Sequence, residues 1–334
     1  MVENLTIRDS KIDILRGLLI FLVVVAHYNR DFPHDLIFLF HMPLFFIVSG
    51  YLTSRNKVDK DHFLANRIKS LLMPYIVYLL LDMMLFQKVS LLIMLKAVIW
   101  GGRAIGGVYW YITCYLFTCF CFSLLLKNFT NRVSKILILL GGSIAIIESH
   151  LVDKIHFLQS PGIPWNLDAS LIALVYIGLG FFYKKQIKEL LGSNSRRYDM
   201  MAGLIAVGLV LFCWLIYRNE NRLYYFNMKP VYYKELVSAI LIPCAFGVVL
   251  VRLVHWMERV KWIDILNRFF ILCGQATVPI MFMHIPLNHW KDTLAYGRSV
   301  YVLIGVGVPL VFTILFNRYK VMRKLFGLPN LQKM

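Results

Sequence analysis

Charged side chains are scarce in this 334-residue chain: Asp, Glu, Lys and Arg together make up 16%, where an ordinary soluble domain carries about a quarter. Acids are scarcer than bases, 18 against 36. No stretch stays polar for long enough to build a separate soluble domain, and neither an internal repeat nor a low-complexity tail is visible. Cysteine is sparse as well. Cys114, Cys119, Cys121, Cys213, Cys244 and Cys273 all lie in apolar segments and none forms a CxxC pair, which excludes a secreted disulfide framework and leaves them as small packing residues. HExxH, paired cysteines and carboxylate clusters are missing, so no metal is expected. The glycines of 101–107 lack the strand-to-helix context of a phosphate loop.

What fills the chain is apolar: 59% of residues, against about 45–50% in soluble proteins. Ten runs are long enough for the bilayer core, near 12–29, 36–54, 71–87, 108–126, 134–150, 167–183, 199–217, 235–254, 268–286 and 299–317. The Gly17–Ala26 run has the length of a signal-peptide core, but no small-x-small cleavage site follows it and many more apolar runs do. Residues 88–107 are broken by Lys88, Lys96 and Arg103 and by Gly101, Gly102, Gly106 and Gly107, which predicts an interfacial or re-entrant segment rather than an eleventh span.

The net charge of +18 would point to nucleic acid in a soluble protein. Here the positive-inside rule is the simpler cause. With the N-terminus in the cytoplasm and ten crossings, the cytoplasmic ends hold 24 of the 36 Lys and Arg and the outer ends 11, with Arg16 inside the membrane. The expected fold is therefore an all-α polytopic membrane protein of about ten transmembrane helices with both termini cytoplasmic, one integral-membrane domain over 1–334 in the plasma membrane. The clusters Arg55/Lys57/Lys60 and Lys184/Lys185/Lys188 read as topology signals and contacts to membrane lipids. A homodimer stays open.

Arg16 and His27 share the first run. An Arg in a membrane span costs about 2.5–3.5 kcal/mol on insertion scales, which makes it a functional candidate. Eleven residues at about 100° each come to about 20° past three turns, so both side chains share one helix face, about 16 Å apart along the axis. A charged anchor near one leaflet and a titratable imidazole deeper in fit a long ligand threaded along the helix. Asp13, three residues before Arg16, is placed to pair with it. The plainer reading of the same residues is a snorkelling or Asp13-paired arginine and a structural histidine.

The second run carries His41, Pro43, Ser49 and Gly50, where Pro43 should free a carbonyl and kink the helix. Arg67 and Lys69 enter the third run from the cytoplasmic side and suit a phosphate-bearing ligand or, equally, the membrane surface. Tyr75 follows them. Tyr109, Trp110 and Tyr111 open the fourth run as an aromatic belt would. His284 ends the ninth on the outer side, where His27, His41 and His284 could gather with Asp31 and Asp168 in nearby loops or span ends.

Taken in order, these stretches resemble the membrane acyltransferase-3 family. Asp13-Ile-Leu-Arg16 followed by His27 is similar to that family's Arg-x10-His signature, and His41 to Gly50 resembles its second-helix motif. Arg67 to Tyr75 resembles the third-helix entry, Trp110-Tyr-Ile the family's Trp-Phe-Leu, and Cys273 to His284 its late glycine-to-histidine segment. The resemblance implies ten spans, a cytoplasmic acyl-CoA donor and a sugar acceptor on the outer side or within the membrane, in a stand-alone form without the SGNH hydrolase-like domain of some members. It makes His27 the catalytic histidine and Arg16 the essential arginine. Arg16, Arg67 and Lys69 would meet the phosphates of acetyl-CoA, the expected co-substrate. Asp13, His41, Ser49, Tyr75, Trp110 and His284 would line the site. The acceptor would be a cell-surface polysaccharide or its lipid-linked sugar precursor. A rival reading is a ten-span transporter or flippase for a polysaccharide intermediate or small carboxylate, since embedded Arg and His fit that class too.

Overall fold

The computed structural model describes residues 9–59, 63–102, 107–155, 158, 162–218, 224–233 and 235–331. Lys60, Arg103 and Gly106 lie outside them. Among the described residues the chain is almost wholly helical. In order come α1 (Ser10–Ala26), α2 (Phe32–Phe38), α3 (His41–Leu52), α4 (Arg55–Val58), α5 (Phe63–Asp82), α6 (Leu91–Trp100), α7 (Trp110–Asn128), α8 (Asn131–Leu151), α9 (Leu167–Phe182), α10 (Lys184–Gly192) and α11 (Arg196–Arg218). After these follow the short strands β1 (Phe226–Asn227) and β2 (Tyr232–Tyr233), then α12 (Leu236–Arg259), α13 (Asp264–Gln275), α14 (Thr277–Leu287), α15 (Lys291–Leu294), α16 (Arg298–Val302), α17 (Val308–Phe316) and α18 (Lys320–Phe326).

Eight of the described helical segments are long and apolar enough to cross a membrane, and α13 with α14 makes a ninth if the bent pair is one span. The 17 residues of α1, about 26 Å at 1.5 Å per residue, sit at the short end of the spanning range and bring the count to the expected ten. α1 is the central helix. It packs on α2, α3, α12, α13, α14 and α16, and Ile14, Leu19, Ile20, Val24 and Ala26 are all buried. Burial on every side explains why its apolar residues show no single stripe. α11 is the opposite case: Met200, Leu204, Val207 and Val210 are exposed, as lipid-facing residues would be.

Two expected spans are broken. The second run starts early, at Phe32, and parts at Leu39–Phe40, so Pro43 falls in the first turn of α3 rather than kinking a continuous helix. The missing N–H of Pro43 is an orphan there in any case. The run 268–286, expected as one helix, is instead α13 and α14 joined at an 85° bend. Both breaks lie three or four residues ahead of a proline, Pro43 and Pro279, whose ring crowds the carbonyl four residues back. Pro74 and Pro243 sit inside continuous helices, so proline permits these breaks without dictating them. α6, at 10 residues, is about 15 Å long and too short to cross a core of about 30 Å on its own. Its end is pinned by Trp100, whose indole N–H donates to the Gly162 carbonyl at 3.0 Å, and by Trp165, which donates to that of Ile99 at 2.9 Å.

Two helix crossings are backbone-close. A Cβ on Gly17 would stand 1.9 Å from the Phe270 carbonyl oxygen, and one on Gly274 1.9 Å from that of Asp13, which locks α1 to α13. Gly50 and Gly180 do the same for α3 and α9, at 2.0 Å from Ile177 O and 1.9 Å from Ile47 O. Without a hydrophobic drive between helices in lipid, such close approach supplies packing energy that larger residues forbid. Gly203, by contrast, has nothing within 4 Å of its Cβ position. Gly50→Val should therefore lower the apparent melting temperature in detergent by about 5 °C or more, as overpacking of about 1–3 kcal/mol does. Gly203→Val should leave it within about 2 °C. Equal effects at the two positions would show that the crossing is not a tight one.

Candidate active site

α1 ends at His27, whose backbone N–H closes the last turn on Val23 and Val24. The ring turns back on the same helix, with Nδ1 2.7 Å from the Val23 carbonyl oxygen. His41 repeats the arrangement on Ile37 at 2.7 Å, His284 on Ile280 at 2.9 Å, and His34 on Ala26 at 2.9 Å. A carbonyl oxygen only accepts, so Nδ1 carries the proton in each neutral ring and Nε2 keeps the lone pair. His34 also satisfies a carbonyl that the end of α1 leaves open. The rings cluster about Phe38, whose centroid is 5.7 Å from that of His27, 4.8 Å from His41 and 3.9 Å from His34.

The N-terminal half of α1 carries the cationic end. The Arg16 guanidinium pairs with Asp13 at 3.8 Å and donates to Thr277 Oγ1 at 3.4 Å. Gln275 Nε2 donates to Asp13 Oδ2 at 3.4 Å, so both termini of the α13–α14 bend are tied to this charge pair. Arg67 from α5 donates to Ser49 Oγ at 3.3 Å and Thr53 Oγ1 at 3.4 Å, and lies over the rings of Phe63 and Tyr115. Ser49 in turn shares a hydrogen bond of 2.8 Å with the Tyr115 hydroxyl.

One cavity of about 1390 Å³ joins the two ends. That exceeds the about 300–1,000 Å³ of a pocket for one small ligand and leaves room for two. Arg16, His27, His41, Ser49, Arg67 and Trp110 line it, so the structure brings six of the sequence-derived residues to one space. The other four are placed differently. Asp13 is buried beside Arg16 and holds it from behind. Lys69 is exposed and outside the cavity wall, unlike its neighbour Arg67, because the two side chains leave α5 about 200° apart. Tyr75 is buried against Tyr109, 6.2 Å between centroids, on another side of α5. His284 does not line the cavity: it stands behind His27 at 5.0 Å, fully buried, with no hydrogen-bond partner for Nε2. A π-helical turn, Leu303–Gly307, makes that seat, since a Cβ on Gly305 would meet His284 Cβ at 3.1 Å. Asp31 pairs with Arg298, and Asp168 lies in the first turn of α9; neither reaches the cavity.

Several wall residues were not singled out from sequence. Tyr111, read from sequence only as part of an aromatic belt, and Tyr115 line the cavity one turn apart on α7, and their i, i+4 spacing was the available signal. Thr277 sits in the matched late segment. His34, Asp35, Asp153, Tyr225, Asn227 and Tyr232 complete the wide mouth beyond His27, and nothing local marks them. Among the described residues no group of three or more His, Cys, Asp or Glu is arranged to hold a metal ion.

No curated protein and no solved structure gives a significant match to the chain. The family model described as an acyltransferase domain, that of the acyltransferase-3 family, matches residues 9–318, a span that contains Arg16, Arg67, the α13–α14 bend and every wall of the cavity. The chain belongs to the acyltransferase-3 family and is a membrane acyltransferase.

Proposed function

We propose that the protein, in the plasma membrane, moves an acetyl group from cytoplasmic acetyl-CoA to a hydroxyl of a cell-surface polysaccharide or its lipid-linked sugar precursor. The observation that carries this reading is one cavity with two guanidinium groups at one end and the Nε2 side of His27 toward the other. Arg67 and Arg16 suit the phosphates of the donor, Arg offering a planar fork of donors to an anion. The pantetheine arm, about 15–20 Å when extended, matches the distance of about 16 Å along α1 from Arg16 to His27.

In the transfer, His27 Nε2 takes the proton of the acceptor hydroxyl as its oxygen forms the bond to the thioester carbon. The carbonyl oxygen becomes an oxyanion. When it collapses, the C–S bond breaks, the thiolate leaves as CoA, and the imidazolium returns the proton to sulfur. An oxyanion needs hydrogen-bond donors, and His41 presents a lone pair while its Nδ1–H is held by Ile37. Ser49 is engaged at the Arg67 end, and Tyr75 is outside the cavity. Trp110 lines the cavity and its indole N–H has no acceptor among the described residues, so it is the donor the arrangement favours.

Two measurements test the reading. Purified protein in lipid with radiolabelled acetyl-CoA and native envelope acceptor should release CoA and transfer label, and His27→Ala should lower both by about 10²–10⁴-fold. Full transfer by His27→Ala sinks the mechanism. Absence of donor turnover by folded wild-type protein favours the transporter instead. Arg67→Ala should raise KM for acetyl-CoA by about tenfold to a hundredfold, as loss of a charged hydrogen bond does. Lys69→Ala should stay within about twofold. The reverse order would relocate the donor site to the surface.

A further inference from the structure

We propose that the β1–β2 hairpin is the acceptor-binding lip of the cavity, with Tyr225, Asn227 and Tyr232 gripping a sugar ring presented to His27; this rests on the acyl-transfer reading above. The two strands pair Phe226 with Tyr233 and Asn227 with Tyr232. Alternation along a strand sends neighbouring side chains to opposite faces. One face is anchored: Phe226, Met228, Val231 and Tyr233 are buried, and the Tyr233 N–H donates to Ser149 Oγ at 2.8 Å. The opposite face carries Tyr225, Asn227 and Tyr232, all half-buried and all lining the cavity.

The hairpin is a fixed feature. Val231 holds φ of +57°, a conformation β-branched residues avoid, and it does so fully buried. A strained backbone persists where its surroundings over-determine it, and such strain clusters at functional sites. From the turn, Lys229 Nζ reaches the Gly107 carbonyl at 3.5 Å and joins the lip to the segment that leads into α7.

The chemistry of the exposed face is that of carbohydrate binding. The Tyr225 and Tyr232 rings stand 5.4 Å apart at 71°, a corner of two aromatic planes. Asn227 Nδ2 donates to the Tyr225 hydroxyl at 3.3 Å and so orients that ring. A pyranose has C–H faces that pack on aromatic rings and equatorial hydroxyls that need amide, carboxylate and phenol partners. Both kinds of surface meet at this mouth, whose lining also includes Asp35 and Asp153. The buried residues that hold the hairpin in the fold, Phe226, Met228, Val231 and Tyr233, are not among those that line the cavity. A substitution on the cavity face therefore probes binding without removing the anchor.

The test uses full-length protein in native membrane vesicles with acetyl-labelled acetyl-CoA. It reads label in the envelope polysaccharide fraction, and separately CoA released to water in vesicles stripped of acceptor. The Tyr225→Ala/Tyr232→Ala double variant should lower transfer to the envelope fraction at least about tenfold. Its KM for acetyl-CoA and its CoA release to water should stay within about twofold. Tyr232→Phe, which keeps the ring, should retain most of the transfer. Unchanged transfer in the double variant overturns the proposal, and so does an equal loss of transfer and water-directed CoA release, which would mark the hairpin as structural. If wild-type protein itself labels no envelope fraction, the acyl-transfer reading fails, a result visible without any variant.

Discussion

The site hangs on the backbone contact between α1 and α13. Because Gly17 and Gly274 carry no side chain, the two helices approach until each would meet the other's carbonyl oxygen at 1.9 Å. At that distance Gln275 reaches Asp13, and Thr277, past the bend, reaches Arg16. A costly intramembrane arginine is thereby held by Asp13 of its own helix, itself tied to Gln275, and by the Thr277 hydroxyl from another part of the chain. The 85° turn then carries α14 beside α1, so that His284 ends up behind His27. A bulkier residue at either glycine would separate both pairs together, which couples the anchoring of the cationic end to the seating of the imidazole end.

The same arrangement explains what a linear reading could and could not supply. Apolar runs were enough for the nature of the helices and for a count near that of the structure, because in lipid the backbone must satisfy itself within each span. The common face of Arg16 and His27 followed from helix geometry alone. The break at Ala276 was not legible. Pro279 weakens the helix there, but Pro243 does not break α12, and what differs is a partner helix at backbone distance. Lys69 looked like a twin of Arg67 because spacing along α5 says nothing of which side faces the bundle. The hairpin was invisible for a related reason: it is anchored by the Tyr233 N–H bond to Ser149, 84 residues away along the chain.

Four imidazoles gather at one end of the cavity, yet the carbonyl bonds divide their roles. His34 caps the end of α1, and His284 is sealed behind the wall. His41 and His27 both line the space with Nδ1 bound. Between them, only His27 shares a helix with Arg16. That shared helix makes the separation of imidazole and guanidinium a property of a single rigid element rather than of the packing between two.

In the proposed transfer, such a rigid separation acts as a ruler for a donor read at both ends. One residue inserted between Arg16 and His27 would lift the imidazole by only about 1.5 Å but turn it by about 100°, out of the cavity and into the packed side of the bundle. The span would remain as apolar and as long. The hydrophobic requirement of the membrane therefore leaves the spacing free, and the proposed transfer does not. In the proposed transfer a donor anchored by its phosphates can present its thioester to His27 only while the two residues stay on one face, three turns apart, and residues of α5, α7 and the hairpin line the same cavity.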